Sequence, residues 1–153
     1  MRVNVVCKIP FSAAEVWTLA GGYNLLPAIS SGCVTSTLED GGRIRVLTNT
    51  DGSILWERML SFSDVDRQLS YLITDSKNFS SAYDVGYVGT VKIVGDGPNS
   101  SDFHYTGDFE PTPGTTPEAA EAAVNRFAED CARGIARVLT RREALQPAAS
   151  PVD

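Results

Sequence analysis

A single long amphipathic helix closes this chain, spanning about Thr116 to Arg142, after a nearly unbroken series of strand-like segments. Its apolar residues Ala120, Val124, Phe127, Cys131, Ile135 and Val138 fall three or four positions apart and draw one stripe. One helix cannot bury such a stripe alone, so it must lie across the sheet that the strands form. A curved sheet gripping one helix leaves a hollow between them. That hollow is where function is to be sought.

At 153 residues the chain is long enough for one domain with a sizeable core. A net charge of −6 argues against nucleic acid or an anionic membrane as the main partner. Arg141 and Arg142 form one cationic pair, placed where a helix C-terminus favours positive charge. No apolar run approaches the ~20 residues that span a bilayer. Met1 to Val6 lacks the apolar core and cleavage site of a secretory signal. Cys7, Cys33 and Cys131 are odd in number and set in apolar patterns, which suits buried thiols in a reducing cytoplasm. With one histidine and no CxxC or HxxxH spacing, neither a metal nor another cofactor is expected.

Val3, Val5, Cys7 and Ile9 alternate with Arg2, Asn4, Val6 and Lys8 and predict a half-buried first strand. Pro10 ends it, and Ser12-Ala13-Ala14-Glu15 is a capping box for a short helix that Gly21-Gly22 stops. A second short piece covers Tyr23 to Ala28. Six further strands are expected at about 33–39, 43–49, 53–62, 67–74, 82–94 and 101–110. The turns between them include Asp40-Gly41-Gly42, Asp51-Gly52, Ser63 to Asp66 and Asp96-Gly97-Pro98-Asn99. Pro111, Pro113 and Pro117 lead into the last helix, Pro117 at a first-turn position. The predicted class is α+β: a seven-stranded antiparallel sheet, two short helices after strand 1, and a long C-terminal helix. The domain is expected over residues 1–143. Residues 144–153 are expected to form a disordered tail, since nothing from Gln146 onward has anything to pack.

Strand parity says which side chains face the hollow. In 82–94 these are Tyr83, Val85, Tyr87, Val91 and Ile93; in 101–110, Phe103, Tyr105, Gly107 and Phe109; in 67–74, Leu69, Tyr71 and Ile73. Several tyrosines on one inner face are hard to satisfy in a dry core, because each hydroxyl needs a partner, so a cavity is favoured over a filled interior. Strand 53–62 is ambiguous. Ser53, Leu55, Glu57 and Met59 share one face, Ile54, Trp56, Arg58 and Leu60 the other, and each face carries one charge. An inward Glu57 would be an acid, base or hydrogen-bond anchor; an outward one would pair with Arg43 or Arg45 on the neighbouring strand. His104 tempts as a base, but its parity puts it outward beside Tyr105. Phe127, Cys131 and Ile135 are stripe residues first and hollow-wall residues second. Cys131 is expected to lack a nearby basic group to activate it, which argues against a catalytic thiolate.

Several strings together resemble the START-like superfamily, the polyketide cyclase/dehydrase and lipid-transport proteins that include birch-pollen allergens and plant abscisic acid receptors. Ile9-Pro10-Phe11-Ser12-Ala13-Ala14-Glu15-Val16-Trp17 is similar to that family's I-x-A-P-x-x-x-V-W opening, although here Pro precedes Ser. Asp51 to Leu60 is similar to its D-G-x-x-x-x-E-R-L hairpin, Leu69-Ser70-Tyr71 to its L-S-Y strand, and Phe109-Glu110-Pro111 to its F-x-P exit. Phe127 to Leu139 resembles the pocket-facing helix of the abscisic acid receptors. The likeness covers nearly residues 1–140.

This resemblance implies a helix-grip fold, with the curved sheet wrapped around the last helix. It also turns Glu57 inward, since the matching receptor glutamate lines the ligand pocket. Glu57, Tyr83 and Tyr105 become the candidate catalytic residues. Tyr71, Val85, Tyr87, Phe79, Phe103, Leu55, Met59, Phe127, Cys131 and Ile135 become the candidate ligand wall. Asn49 to Gly52 and Asp75 to Ser81 match loops that close over ligand in the receptors, but the S-G-L-P-A gate string is missing here, against a phytohormone role. The expected function is binding of a polyketide-like or aromatic molecule, leaning towards its cofactor-free cyclisation, dehydration or isomerisation by acid–base chemistry (a lyase or isomerase of biosynthesis). The alternatives are a carrier or sensor without catalysis, and an interaction protein with a collapsed pocket. Trp56 or Phe62, if exposed, is a candidate seed for a homodimer.

Overall fold

A computed structural model describes residues 1–146. Strand β1 (Arg2–Ile9) buries Val3, Val5 and Ile9, half-buries Cys7 on the same face and exposes Asn4, Val6 and Lys8, as its period of two requires. Helix α1 (Ala13–Ala20) starts at the capping box: Glu15 N donates to Ser12 Oγ at 3.2 Å, and Ser12 N donates to Glu15 Oε2 at 3.3 Å. These contacts satisfy two amides that a helix start otherwise leaves unpaired. Helix α2 (Leu26–Ile29) is a single turn with Pro27 inside it, shorter and later than the segment predicted from Tyr23.

The remaining strands are β2 (Cys33–Glu39), β3 (Ile44–Asn49), β4 (Ile54–Ser63), β5 (Gln68–Lys77), β6 (Val88–Gly95) and β7 (Ser101–Asp108). Asp40–Gly42 forms a short 3₁₀ turn between β2 and β3. Every neighbouring pair is antiparallel, in the order β1-β7-β6-β5-β4-β3-β2. Helix α3 (Pro117–Leu145) packs against β1 and α2 and plugs the concave side. This is the α+β helix-grip arrangement, with seven strands and three α-helices among the described residues. Among the described residues, no helix is long and apolar enough to cross a membrane. Cys7, Cys33 and Cys131 are all free thiols.

Three expectations need correction. The strand predicted from 82 begins only at Val88, because Asp84 Oδ1 accepts from Val85 N and from Ser76 Oγ, a local turn that competes with ladder pairing. Val85 therefore leaves the parity of the strand and is 57% exposed. In the β4–β5 ladder Thr74 of β5 and Leu60 of β4 are extra residues; Met59 keeps its inward parity opposite Tyr71 but, next to the Leu60 bulge where β4 runs out from the core, it is only half-buried. Lastly, α3 continues to Leu145, so residues 144 and 145 are helical and not part of a tail; the rest of the expected tail beyond 146 lies outside the described residues.

The buried stripe of α3 is Ala120, Val124, Ala128, Cys131, Ala132, Gly134, Ile135 and Leu139, with Phe127 and Val138 at its half-buried margins. Small residues dominate the middle because α2 crosses there. A Cβ built on Gly134 would lie 1.7 Å from the Ile29 carbonyl oxygen.

Candidate functional site

Glu57 faces inward and is 4% exposed, but it is not alone. Register pairs it directly with Arg45 across β3 and β4. Arg45 Nε donates to Glu57 Oε2 at 2.7 Å, and its NH2 nitrogen also lies 2.7 Å from Oε2. The other terminal nitrogen donates to the Tyr23 carbonyl at 3.0 Å. The guanidinium lies 4.4 Å from the centre of the Tyr23 ring and 4.8 Å from that of Tyr71. Burial alone pulls the Arg45 guanidinium down; the Glu57 carboxylate, with Tyr71 and Tyr23, more than offsets it and holds the group above its ordinary value. The pairing anticipated for an outward Glu57 thus occurs inside the protein. Glu57 Oε1 receives no hydrogen bond among the described residues.

Beside this pair lies a chain of phenols. Tyr71 and Tyr105 hydroxyls are 2.6 Å apart, and Tyr87 and Tyr105 hydroxyls 2.9 Å. Two glycines make room for them. Gly89 sits opposite Tyr71 and beside Gly107 in the ladder, leaving a bare strip on the concave face. A Cβ on Gly89 would come within 2.3 Å of the Tyr71 ring, and one on Gly107 within 2.6 Å of the Tyr87 hydroxyl. Around the strip, Tyr83 and Tyr87 rings are 4.3 Å apart, with Phe109 and Phe79 extending the cluster and Phe127 edge-on to Tyr105.

Two hollows result, and both are walled in part by Tyr71, Phe127 and Leu26. The inner one, about 30 Å³, reaches Arg45, Phe103, Tyr105 and Cys131. At the loop end an open cleft of about 250 Å³ is lined by Glu57, Leu55, Tyr71, Tyr83, Tyr87, Phe79 and Phe127, with Asn49, Thr50 and Asp51 at its rim. The loop 49–52 and Phe79 from the second loop thus meet at one mouth. The geometry gathers ten of the thirteen residues singled out in the sequence. Val85 is on the surface, while Met59 and Ile135 line neither hollow. Ile135 is fully buried against the core, on the part of α3 beyond the cleft. His104 is half-buried on the outer face, opposite Val6 and Lys92. Burial pushes the Cys131 thiol well up, which leaves no thiolate for attack. Arg45, Gly89 and Gly107 were not recognised as site residues. The available signal was parity: Gly107 already belonged to the inward face, and Arg45 shares its strand face with Leu47.

All five tyrosines are held above the ordinary phenol value near 10, in each case first by desolvation; Tyr83 is pushed up to about 12. Below pH ~10 the phenols are protonated in both the folded and unfolded chain. Above it the unfolded chain releases protons that the folded chain retains, so stability present below pH 10 is lost as pH rises towards the folded values. For Tyr71, Tyr87 and Tyr105 together the loss approaches ~4 kcal/mol per pH unit. Urea unfolding is expected to be level from pH 7 to 8, to decline gently from about 8.5 as the thiols ionise in the unfolded chain but not in the folded one, and to collapse above 10. Phenolate absorbance should appear only with unfolding; reversible ionisation near pH 10 in the folded state would contradict the burial argument.

A bent antiparallel sheet closed by a C-terminal helix over an aromatic cleft defines the START-like class of proteins. The chain belongs to the polyketide cyclase/dehydrase and lipid transport family, whose profile matches residues 1–141. Among solved structures, it is similar to an uncharacterized protein from Bacillus thuringiensis, with 28% identity, TM-score 0.80, and coverage of 92% of this chain and 99% of that one. A START superfamily protein from Mycobacterium smegmatis shares 13% identity at TM-score 0.72, covering 92% and 98%. The Zhui aromatase/cyclase from Streptomyces sp. R1128 shares 16% identity at TM-score 0.70, covering 99% of each. No match is found among curated protein sequences.

Proposed function

We propose that this protein binds a hydrophobic small molecule in the 250 Å³ cleft and converts it by proton transfer, in the manner of a cyclase, dehydratase or isomerase. The observation that carries the binding half is the cleft itself, open at one end and walled by Tyr71, Tyr83, Tyr87, Phe79 and Phe127. An apolar cavity of ~150 Å³ accommodates benzene, so this volume has room for roughly two fused rings. The conversion half rests on Glu57, whose Oε1 is uncommitted and lies at the cleft wall, within the same hollow as phenol donors. A carboxylate oxygen that accepts a proton and hydroxyls that stabilise a developing oxyanion are sufficient for enolisation, ring closure or loss of water without a cofactor. A carrier or sensor would need the same cleft without the proton transfer, and the Arg45 contact favours that reading to the extent that it immobilises Glu57.

The test has two stages. An uncharged two-ring dye such as prodan is expected to bind saturably at one site with enhanced fluorescence, and Tyr83→Ala to weaken it; no saturable binding removes the cleft from function. Native mass spectrometry of protein purified from its own host then identifies what occupies the cleft. With that compound, Glu57→Gln should lose ~10²-fold or more in turnover but no more than about tenfold in affinity, the scale of one hydrogen bond to a charged group. Turnover unchanged by Glu57→Gln would take Glu57 out of the chemistry, and a compound released unaltered by the native protein would establish the carrier.

A further inference from the structure

The polar atoms that the cleft offers to a ligand can be counted. Its wall contains two charged side chains, Glu57 and Asp51, both acidic, and no Lys, Arg or His. The nearest buried cation, Arg45, lines the inner hollow instead; three of its five N–H groups go to Glu57 Oε2 and the Tyr23 carbonyl, and its charge is already paired with Glu57. Glu57 is 4% exposed, yet its Oε1 takes no hydrogen bond among the described residues. The one sealed side-chain polar atom without a partner there is Ser101 Oγ, so Oε1 keeps contact with the cleft. Three phenol hydroxyls carry three protons and make two hydrogen bonds, so one proton has no acceptor among the described residues. Whichever way the chain is oriented, the spare donor belongs to Tyr71, Tyr87 or Tyr105, each of which lines a hollow.

We infer that the ligand is a ring compound without negative charge that presents an O–H or N–H to Glu57 Oε1, and that carboxylates, including free fatty acids, are excluded. A carboxylate in this cleft would meet Glu57 and Asp51 with no free cation to neutralise it, and charge buried without a partner is strongly disfavoured. A purely apolar ligand would fill the volume but leave a buried carboxylate oxygen stripped of water and unpaired. A hydroxyl or N–H replaces that water with a charge-assisted hydrogen bond. A ligand oxygen can at the same time accept the spare phenol proton. The inference rests on the cleft being the binding site, and it names the substrate class for that site.

Displacement of prodan at pH 7 by three naphthalenes tests it. The probes are 2-naphthol, which has the donor; 2-methoxynaphthalene, which lacks it and is greasier; and 2-naphthoate, which is anionic. The expected order is 2-naphthol tighter than 2-methoxynaphthalene by about tenfold, the scale of a hydrogen bond to a buried charge, with 2-naphthoate weakest. In Glu57→Gln, checked for folding by circular dichroism, the naphthol advantage should fall below about threefold on the same reasoning. In Asp51→Asn, at the exposed rim, naphthoate alone should improve. Equal affinity for the naphthol and its methyl ether, or naphthoate binding tightest, overturns the assignment of ligand class while leaving the cleft as a binding site. Failure of prodan itself to bind overturns both.

Discussion

Gly134→Ala is expected to lower stability by about 2–4 kcal/mol, although alanine is the better helix former by ~1 kcal/mol. The added methyl would sit 1.7 Å from the Ile29 carbonyl oxygen, a backbone atom that no rotamer change can move aside. Relief requires α2 to lift from α3, which exposes Leu26 and Ile29, both now buried. Burying a side chain of that size contributes ~1.5–3 kcal/mol, which sets the scale of the loss. For a chain of this length the melting temperature should fall by roughly 5–15 °C. Leu26 lines both hollows, so prodan binding should weaken in parallel. A melting temperature unchanged or raised would mean that helix propensity outweighs the clash and that α2 docks loosely.

The second large effect belongs to the Arg45–Glu57 pair. Removing either partner alone, as Arg45→Met or Glu57→Leu, should cost about 3–5 kcal/mol, because each leaves the other as an uncompensated buried charge. Arg45 is 5% exposed and Glu57 4%, so neither can recover its hydration without opening the sheet. The double substitution removes both charges and replaces them with apolar volume, so it should regain most of the loss. Urea denaturation of the two single variants and the double variant measures the coupling directly. If the two single losses simply add in the double variant, the ion pair is not the unit that holds β3 to β4 at this point. The pair has a further consequence for the site, because it keeps the carboxylate in one orientation with Oε1 towards the cleft.

Much of the architecture was legible because it rests on short-range rules. Val3, Val5 and Ile9 alternate, Ser12 and Glu15 cap, and Ala120 to Ile135 repeat every three or four residues; each pattern depends only on where side chains point along one element. The inward aromatics of β5 and β7 followed from the same parity, and Tyr71, Phe103 and Tyr105 lie where it puts them. Parity failed at Val85, which was lost to the turn that the Asp84 side chain makes, while Met59 keeps its inward parity opposite Tyr71 but sits beside the Leu60 bulge, outside both hollows. The orientation of Glu57 could not be read from β4 alone, because both faces carry a charge; the family likeness turned it inward.

The amino-acid sequence alone determined the order of elements, the antiparallel class of the sheet and the stripe by which the last helix seals it, because these follow from periods of two and of 3.6 written into neighbouring residues. Only the tertiary structure decided what the hollow contains. It brought Arg45 onto Glu57 across two strands, laid Tyr71 and Tyr87 over the bare backbone of Gly89 and Gly107, and pressed Ile29 against Gly134. Those contacts join residues far apart in the chain, and their energies arise from desolvation and close approach, which no local pattern encodes.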